Sequence, residues 1–120
     1  MRAVRLAMLL LAATAVAAVS RPAAATDLVA AKKDFGTFCS KCHGPAGKGD
    51  GPSAATLSTK PRDLTDCARM KDITDATVFT AIKEGGESVK LSKDMPAWKE
   101  GMEDDEIHDL VAYVRSLCGQ

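Results

Sequence analysis

Cys39-Ser40-Lys41-Cys42-His43 sets two thiols three positions apart with an imidazole directly behind them, and no other feature constrains the chain as much. The chain around it is small. Of its 120 residues, fewer than about 100 remain once an N-terminal address is removed, which leaves room for one domain and no second. Aromatic residues make up only 4%, and a domain this small needs an internal staple such as a disulfide, a metal or a bound cofactor. The four cysteines are the residues able to supply one.

The N-terminus reads as an address. Met1 to Arg5 carries two arginines and no acid, and Leu6 to Val19 is apolar except for Thr14. At 14 residues this stretch is shorter than the roughly 20 needed to cross a bilayer. Small residues follow it, with an A-x-A site at Ala23-Ala24-Ala25. The expectation is a secretory signal, residues 1–25, cleaved after Ala25, and a mature domain over 26–120. An uncleaved anchor is the alternative, since an Ala-rich segment with basic flanks can act as one. Both readings put the domain outside the cytoplasm, in the periplasm. Lys+Arg and Asp+Glu are 16 each, so the basic field of a nucleic-acid binder is missing. Cleavage removes Arg2, Arg5 and Arg21 and no acid, leaving 13 of the 16 basic residues against 16 acidic ones, a net charge of −3.

Hydropathy patterning predicts helices and no strands. Leu28, Ala31, Phe35 and Phe38 have helical spacing behind a Thr/Asp start, which predicts a first helix from Asp27 to about Cys39. Gly44, Pro45, Gly47, Gly49, Gly51, Pro52 and Pro61 exclude long regular structure before Thr65 and predict a wrapping loop. Thr74 or Asp75 can cap a second helix with Val78, Phe79 and Ile82 on one face, stopped by Gly85-Gly86. A further loop runs to Trp98. Ile107, Leu110, Val111, Val114 and Leu117 then form an apolar stripe, with the acids Glu103 to Glu106 at the positive end of that helix. The expected class is all-α, with three or four helices.

C-x-x-C-H is the attachment sequence for c-type haem. Two thiols at this spacing can add to the two vinyl groups on one edge of the haem, and the next residue can then put an imidazole nitrogen on the iron. Covalent tethering keeps a large flat cofactor in a domain too small to enclose it. A thioredoxin-like redox pair would need a βαβ pattern around the cysteines, whereas a Gly/Pro loop follows a helix here. A zinc site would need two more ligands at fixed spacing, and Cys67, Cys118 and His108 are scattered.

From here the chain resembles the class I c-type cytochromes, especially the small monohaem bacterial ones, over roughly residues 27–117. The matching pieces are F-x-x-x-C-S-K-C-H-G from Phe35, G-K-G-D-G-P from Gly47, K-P-R-D-L from Lys60, a helix ending in E-G-G, M-P-A-W from Met95 and E-I-x-x-L-V-A-Y-V from Glu106. The resemblance implies the cytochrome c fold, helices wrapped around one haem c held through Cys39 and Cys42, with first and last helices crossing at Ala31, Phe35, Leu110 and Tyr113. It also implies a methionine as second axial ligand beside His43, carried by the loop before the last helix. Met95 is the candidate because Pro96 stiffens the loop behind it. Met70 reads as a hydrophobic gap filler, Met102 as packing and His108 as a solvated histidine. The resemblance assigns the backbone carbonyl that accepts the other His43 ring N–H to Pro52. Arg62 and Trp98 are candidate hydrogen-bond partners for the haem propionates, and capping of the core is the other reading of Trp98.

Cys67 and Cys118 stand outside this pattern. In an oxidising compartment an even remainder suggests a disulfide, with free thiols or a bond to a partner as alternatives. The expected function is a non-enzymatic, monomeric periplasmic electron carrier, shuttling between a dehydrogenase or quinol-oxidising complex and a terminal oxidase or reductase in a respiratory chain. Partners are expected to dock transiently at the haem edge, where Lys41, Lys48, Lys90, Lys93 and Lys99 could form a positive rim. A subunit held in one enzyme complex, and a ligand-binding or peroxidase-like haem protein, are the alternatives.

Overall fold

The computed structural model describes residues 25–119, so the expected signal segment lies, apart from Ala25, outside the described residues. These form helices and loops with no strand among them, as the hydropathy pattern predicts. The first helical run begins at α1 (Leu28–Asp34), where the Asp27 carboxylate accepts from the N–H groups of Val29 and Ala30 at 3.1 and 2.9 Å. It continues without a break through a π-helical turn (Phe35–Cys39) into α2 (Ser40–His43), and Gly44 ends it. The run is thus longer than the sequence predicts and carries a widened turn. That turn has a visible effect. An extra residue in a helical turn rotates the residues after it by about 100°, and Phe38, placed on the apolar stripe by its spacing, is 42% exposed.

Helix α5 (Asp104–Leu117) buries the predicted stripe: Ile107, Leu110, Val111, Val114 and Leu117. Its start is fixed by the Glu106 carboxylate, which accepts from the Glu103 N–H at 2.8 Å. Asp104, Asp105 and Glu106 occupy the first turn, where the helix dipole favours negative charge. Helices α1 and α5 pack together. Ala31 is fully buried and small enough for close approach, and the Phe35 and Tyr113 rings meet at 5.3 Å and 56°. Helix α4 (Asp75–Glu84) starts as predicted at Thr74, whose hydroxyl accepts from the Thr77 N–H at 3.1 Å, and stops at Gly85. Gly86 follows because a Cβ there would lie 2.3 Å from the Ser92 carbonyl oxygen.

One α-helical turn is absent from the sequence reading, as are two short 3-10 turns at Ala54–Thr56 and Gly86–Val89. A single helical turn, α3 (Cys67–Met70), forms because the Asp66 carboxylate caps the Arg69 N–H at 3.2 Å and Met70 is buried to 2% exposure. It is held against α5 from two directions. Cys67 and Cys118 form a disulfide with a Cα–Cα separation of 5.0 Å. The Arg115 guanidinium donates to the Met70 carbonyl at 2.8 Å, to the Ile73 carbonyl, and to the Asp75 carboxylate at 2.7 Å.

Candidate haem site

The wrapping loop positions the attachment segment through its backbone. N–H groups of Gly49, Gly51 and Ser53 donate to the carbonyls of His43, Cys42 and Lys41 at 2.7, 3.1 and 3.0 Å. Cys39, at the end of the π-helical turn, and His43, at the end of α2, line an apolar cavity that opens to solvent. Helices α4 and α5 contribute Val78, Ile82, Leu110 and Val114, α3 contributes Met70, and the loops contribute Arg62 and Met95. The structure therefore brings Cys39, His43, Arg62 and Met95 to one cavity. Pro52, Cys42 and Trp98 are not part of its lining. Cys42 is half-buried beside it in sequence, and both Cys39 and Cys42 are free thiols. Trp98 packs on the core and meets the Phe38 ring at 5.4 Å.

The partner of His43 differs from the one implied by the resemblance. Nδ1 lies 3.3 Å from the carbonyl oxygen of Arg62, and Pro52 takes no part. The cause is the path of the chain. The Pro61–Arg62 backbone passes so close to Gly49 that a Cβ on Gly49 would lie 2.2 Å from the Pro61 oxygen. The Leu64 N–H then ties this segment to the Gly47 carbonyl at 2.7 Å. Pro52 sits instead on the exposed side of the strip that bonds to residues 41–43.

Electrostatics suit a neutral, apolar cofactor pocket. Burial lowers the His43 pKa and outweighs the opposing effect of the Arg62 carbonyl, so the imidazole is neutral at pH 7. A carbonyl only accepts, so the proton sits on Nδ1 and the Nε2 lone pair is left for a metal. Burial, reinforced by the charges of Asp34 and Cys42, pushes the Cys39 thiol up to about 11, so it remains S–H. An imidazole nitrogen, thioether sulfurs and a protonated thiol on apolar walls fit haem c. Among the described residues no cluster of three or more His, Cys, Asp or Glu could hold a bare metal ion, so the zinc reading has no site there. His108 is exposed and stacks on Phe79 at 4.4 Å, while Met102 is buried as packing.

Sequence reasoning missed one contact next to the site. The Ser58 N–H donates to Oδ2 of Asp94 at 2.9 Å, and the Ser58 hydroxyl donates to the same oxygen. The Ser58 hydroxyl, ahead of other hydrogen bonds, holds the Asp94 carboxyl below its ordinary value. No motif announces a bond between residues so far apart in sequence.

Comparison with known proteins bears on the family and the fold. The family described as "Cytochrome C oxidase, cbb3-type, subunit III" matches residues 26–114. A solved structure, "KustC0563 c-type cytochrome", has a similar fold with a TM-score of 0.61 at 24% identity, covering 73% of this chain and 96% of that one. A second, "Kuenenia stuttgartiensis reducing HAO-like protein complex Kustc0457/Kustc0458", gives 0.60 at 30% identity over 76% of this chain. This chain spans only 43% of that protein. The chain belongs to the cbb3-type subunit III family of cytochrome c domains, and is a class I c-type cytochrome: a haem c protein of electron transfer.

Proposed function

We propose that the chain is exported, loses residues 1–25 and serves as a monomeric one-electron carrier in the periplasm. One haem c would be bound through Cys39 and Cys42 and ligated by His43 and Met95. The observation that carries this reading is the meeting of Cys39, His43 and Met95 in the lining of one apolar cavity. The bound haem supplies a reversible ferric/ferrous couple. The protein does the rest. The Arg62 carbonyl orients the His43 ring and makes its free nitrogen a stronger donor. Apolar walls from α4 and α5 exclude water and disfavour the extra positive charge of the oxidised state. A thioether ligand acts in the same direction and raises the potential. His43 and Met95 together would leave the bound iron no position for a substrate, and the protein would then serve as a carrier and not as an enzyme. Lys41, Lys48, Lys90 and Lys93 are exposed and available to an acidic redox partner, whereas Lys99 is paired with Glu84 at 2.7 Å.

The optical spectrum of the reduced protein before and after carbon monoxide tests the reading. A c-type spectrum unchanged by the gas is expected. A shifted spectrum would show an open axial site and favour ligand binding or peroxidase-like chemistry. A spectrum with no haem band would defeat the proposal.

A second reading, a subunit held in one complex, is favoured by the family description and by the similarity to a component of a larger assembly. Size-exclusion of the native protein distinguishes the two: a carrier elutes alone, a subunit with its complex.

A further inference from the structure

The cavity has a firm wall and a soft one. Met70 and Leu110 in its lining are 2% and 1% exposed, whereas Leu91 is 41% exposed and Met95 half-buried. Leu91 and Met95 belong to the loop between Gly86 and Trp98. Most of the backbone hydrogen bonds that anchor this loop run to the end of α4 or within the loop itself. Gly86 N–H donates to the Met95 carbonyl at 3.0 Å, Leu91 N–H to the Gly86 carbonyl at 2.8 Å, and Trp98 N–H to the Ile82 carbonyl at 3.0 Å. With its backbone hydrogen bonds made mostly on that side, the loop could swing about Gly85-Gly86 and take Met95 with it. Across the loop, Ser58 of the wrapping loop grips the Asp94 carboxylate with both its N–H and its hydroxyl. The adjoining Thr59 backbone adds a further hydrogen bond to the same carboxylate. Asp94 is also braced from within its own loop, where its N–H donates to the Ser92 hydroxyl at 3.1 Å. Asp94 is the residue immediately before Met95, so a restraint on one Cα acts about 3.8 Å from the other.

We propose that Ser58 and Asp94 form a latch, a pair of positioning residues that holds the Met95 loop closed and so governs how readily the methionine sulfur leaves the iron. The latch rests on the reading of Met95 as axial ligand. It restrains the ligand loop from the same segment that follows the attachment motif, so the two halves of the coordination shell are fastened to each other through surface polar groups.

The test follows carbon monoxide association to the reduced, haem-loaded full chain in the wild type and in Ser58→Ala, Ser58→Thr, Asp94→Ala, Met95→Ala and Glu84→Gln. Glu84→Gln removes a different surface contact of the same region, the ion pair with Lys99. Expected are a wild type and a Glu84→Gln protein that resist the gas, and a Met95→Ala protein that binds it readily. Ser58→Ala, which loses the hydroxyl bond and keeps the backbone one, should bind about tenfold faster than wild type, the scale of one lost charge-assisted hydrogen bond, and Asp94→Ala, which loses them all, faster still. In the same variants oxidised to the ferric state, the sulfur-to-iron absorption band in the far red should weaken, and Ser58→Thr should restore the wild-type rate. Ser58 is exposed, so its truncation leaves the core intact. If both latch variants stay as closed as wild type while Met95→Ala opens, the latch is overturned and the ligand reading survives. If Met95→Ala behaves like wild type, the ligand reading fails first. If Glu84→Gln opens the site equally, the loop yields to any surface loss and no latch exists.

Discussion

The clamp at α3 and the latch at Asp94 hold two walls of one cavity by opposite means. The first uses a covalent bond from Cys67 to Cys118 and a guanidinium that donates to two carbonyls and a carboxylate. The second uses polar contacts open to water. A covalent link resists every motion of the wall it holds, whereas solvent competes continuously for an exposed hydrogen bond. The difference separates stability from access: the clamp should govern whether the domain stays folded, and the latch whether its iron stays closed.

The largest effect should come from the clamp. Replacing Cys67 and Cys118 by serine opens a loop of separation 51, which costs roughly 4 kcal/mol in the chain-entropy model. Denaturant midpoints should fall accordingly, with carbon monoxide access to the folded protein unchanged. A rise in access as large as that of the latch variants would erase the distinction between the walls. Arg115→Met comes next. It leaves the Met70 and Ile73 carbonyls without their donor and should destabilise by about 2 kcal/mol, again without opening the site. The latch variants should barely move the melting temperature while changing access most.

The smallest effect lies at the margin of the clamp, where the Gly119 N–H meets the Thr65 carbonyl at 3.4 Å. The Thr65 hydroxyl, and then its backbone N–H, hold the Asp63 carboxyl below its ordinary value of 3.8. A carboxyl depressed in the folded state contributes stability that is complete above 3.8 and is lost as pH falls through the lowered value. Thr65→Val should therefore flatten the acid limb of the melting curve, measured between about pH 2 and pH 4. An unchanged limb would show that this carboxyl takes no part in acid unfolding.

The legibility of the sequence divides along physical lines. Helix α5 was legible because a regular stripe from Ile107 to Leu117 admits one arrangement, and α4 because Thr74 and Gly85 mark its ends. The thiols and imidazole of the attachment segment declare themselves by spacing alone. The π-helical turn did not, because one residue inserted into a turn leaves composition unchanged and alters only phase, as the exposed Phe38 shows. Helix α3 was hidden for another reason: a single turn has too few residues for periodicity, and its stability comes from Cys118 and Arg115, far away in sequence. The carbonyl beside His43 belongs to Arg62 because of how two loops cross at Gly49, and crossings leave no local signal. Ser58 and Asp94 were equally silent, since each is an ordinary loop residue until the other arrives.

The disulfide also divides the chain into pieces that a protease would reveal. Residues 67–118 form a closed covalent ring that includes Met95, while Cys39, Cys42 and His43 lie outside it. A single cut anywhere between Ala68 and Leu117 would leave the chain in one piece until a reductant was added. A cut in the glycine-rich stretch between Gly44 and Asp66 would produce two polypeptides at once, one bearing the attachment cysteines and the other bearing Met95. Only non-covalent contacts would then keep the two halves together.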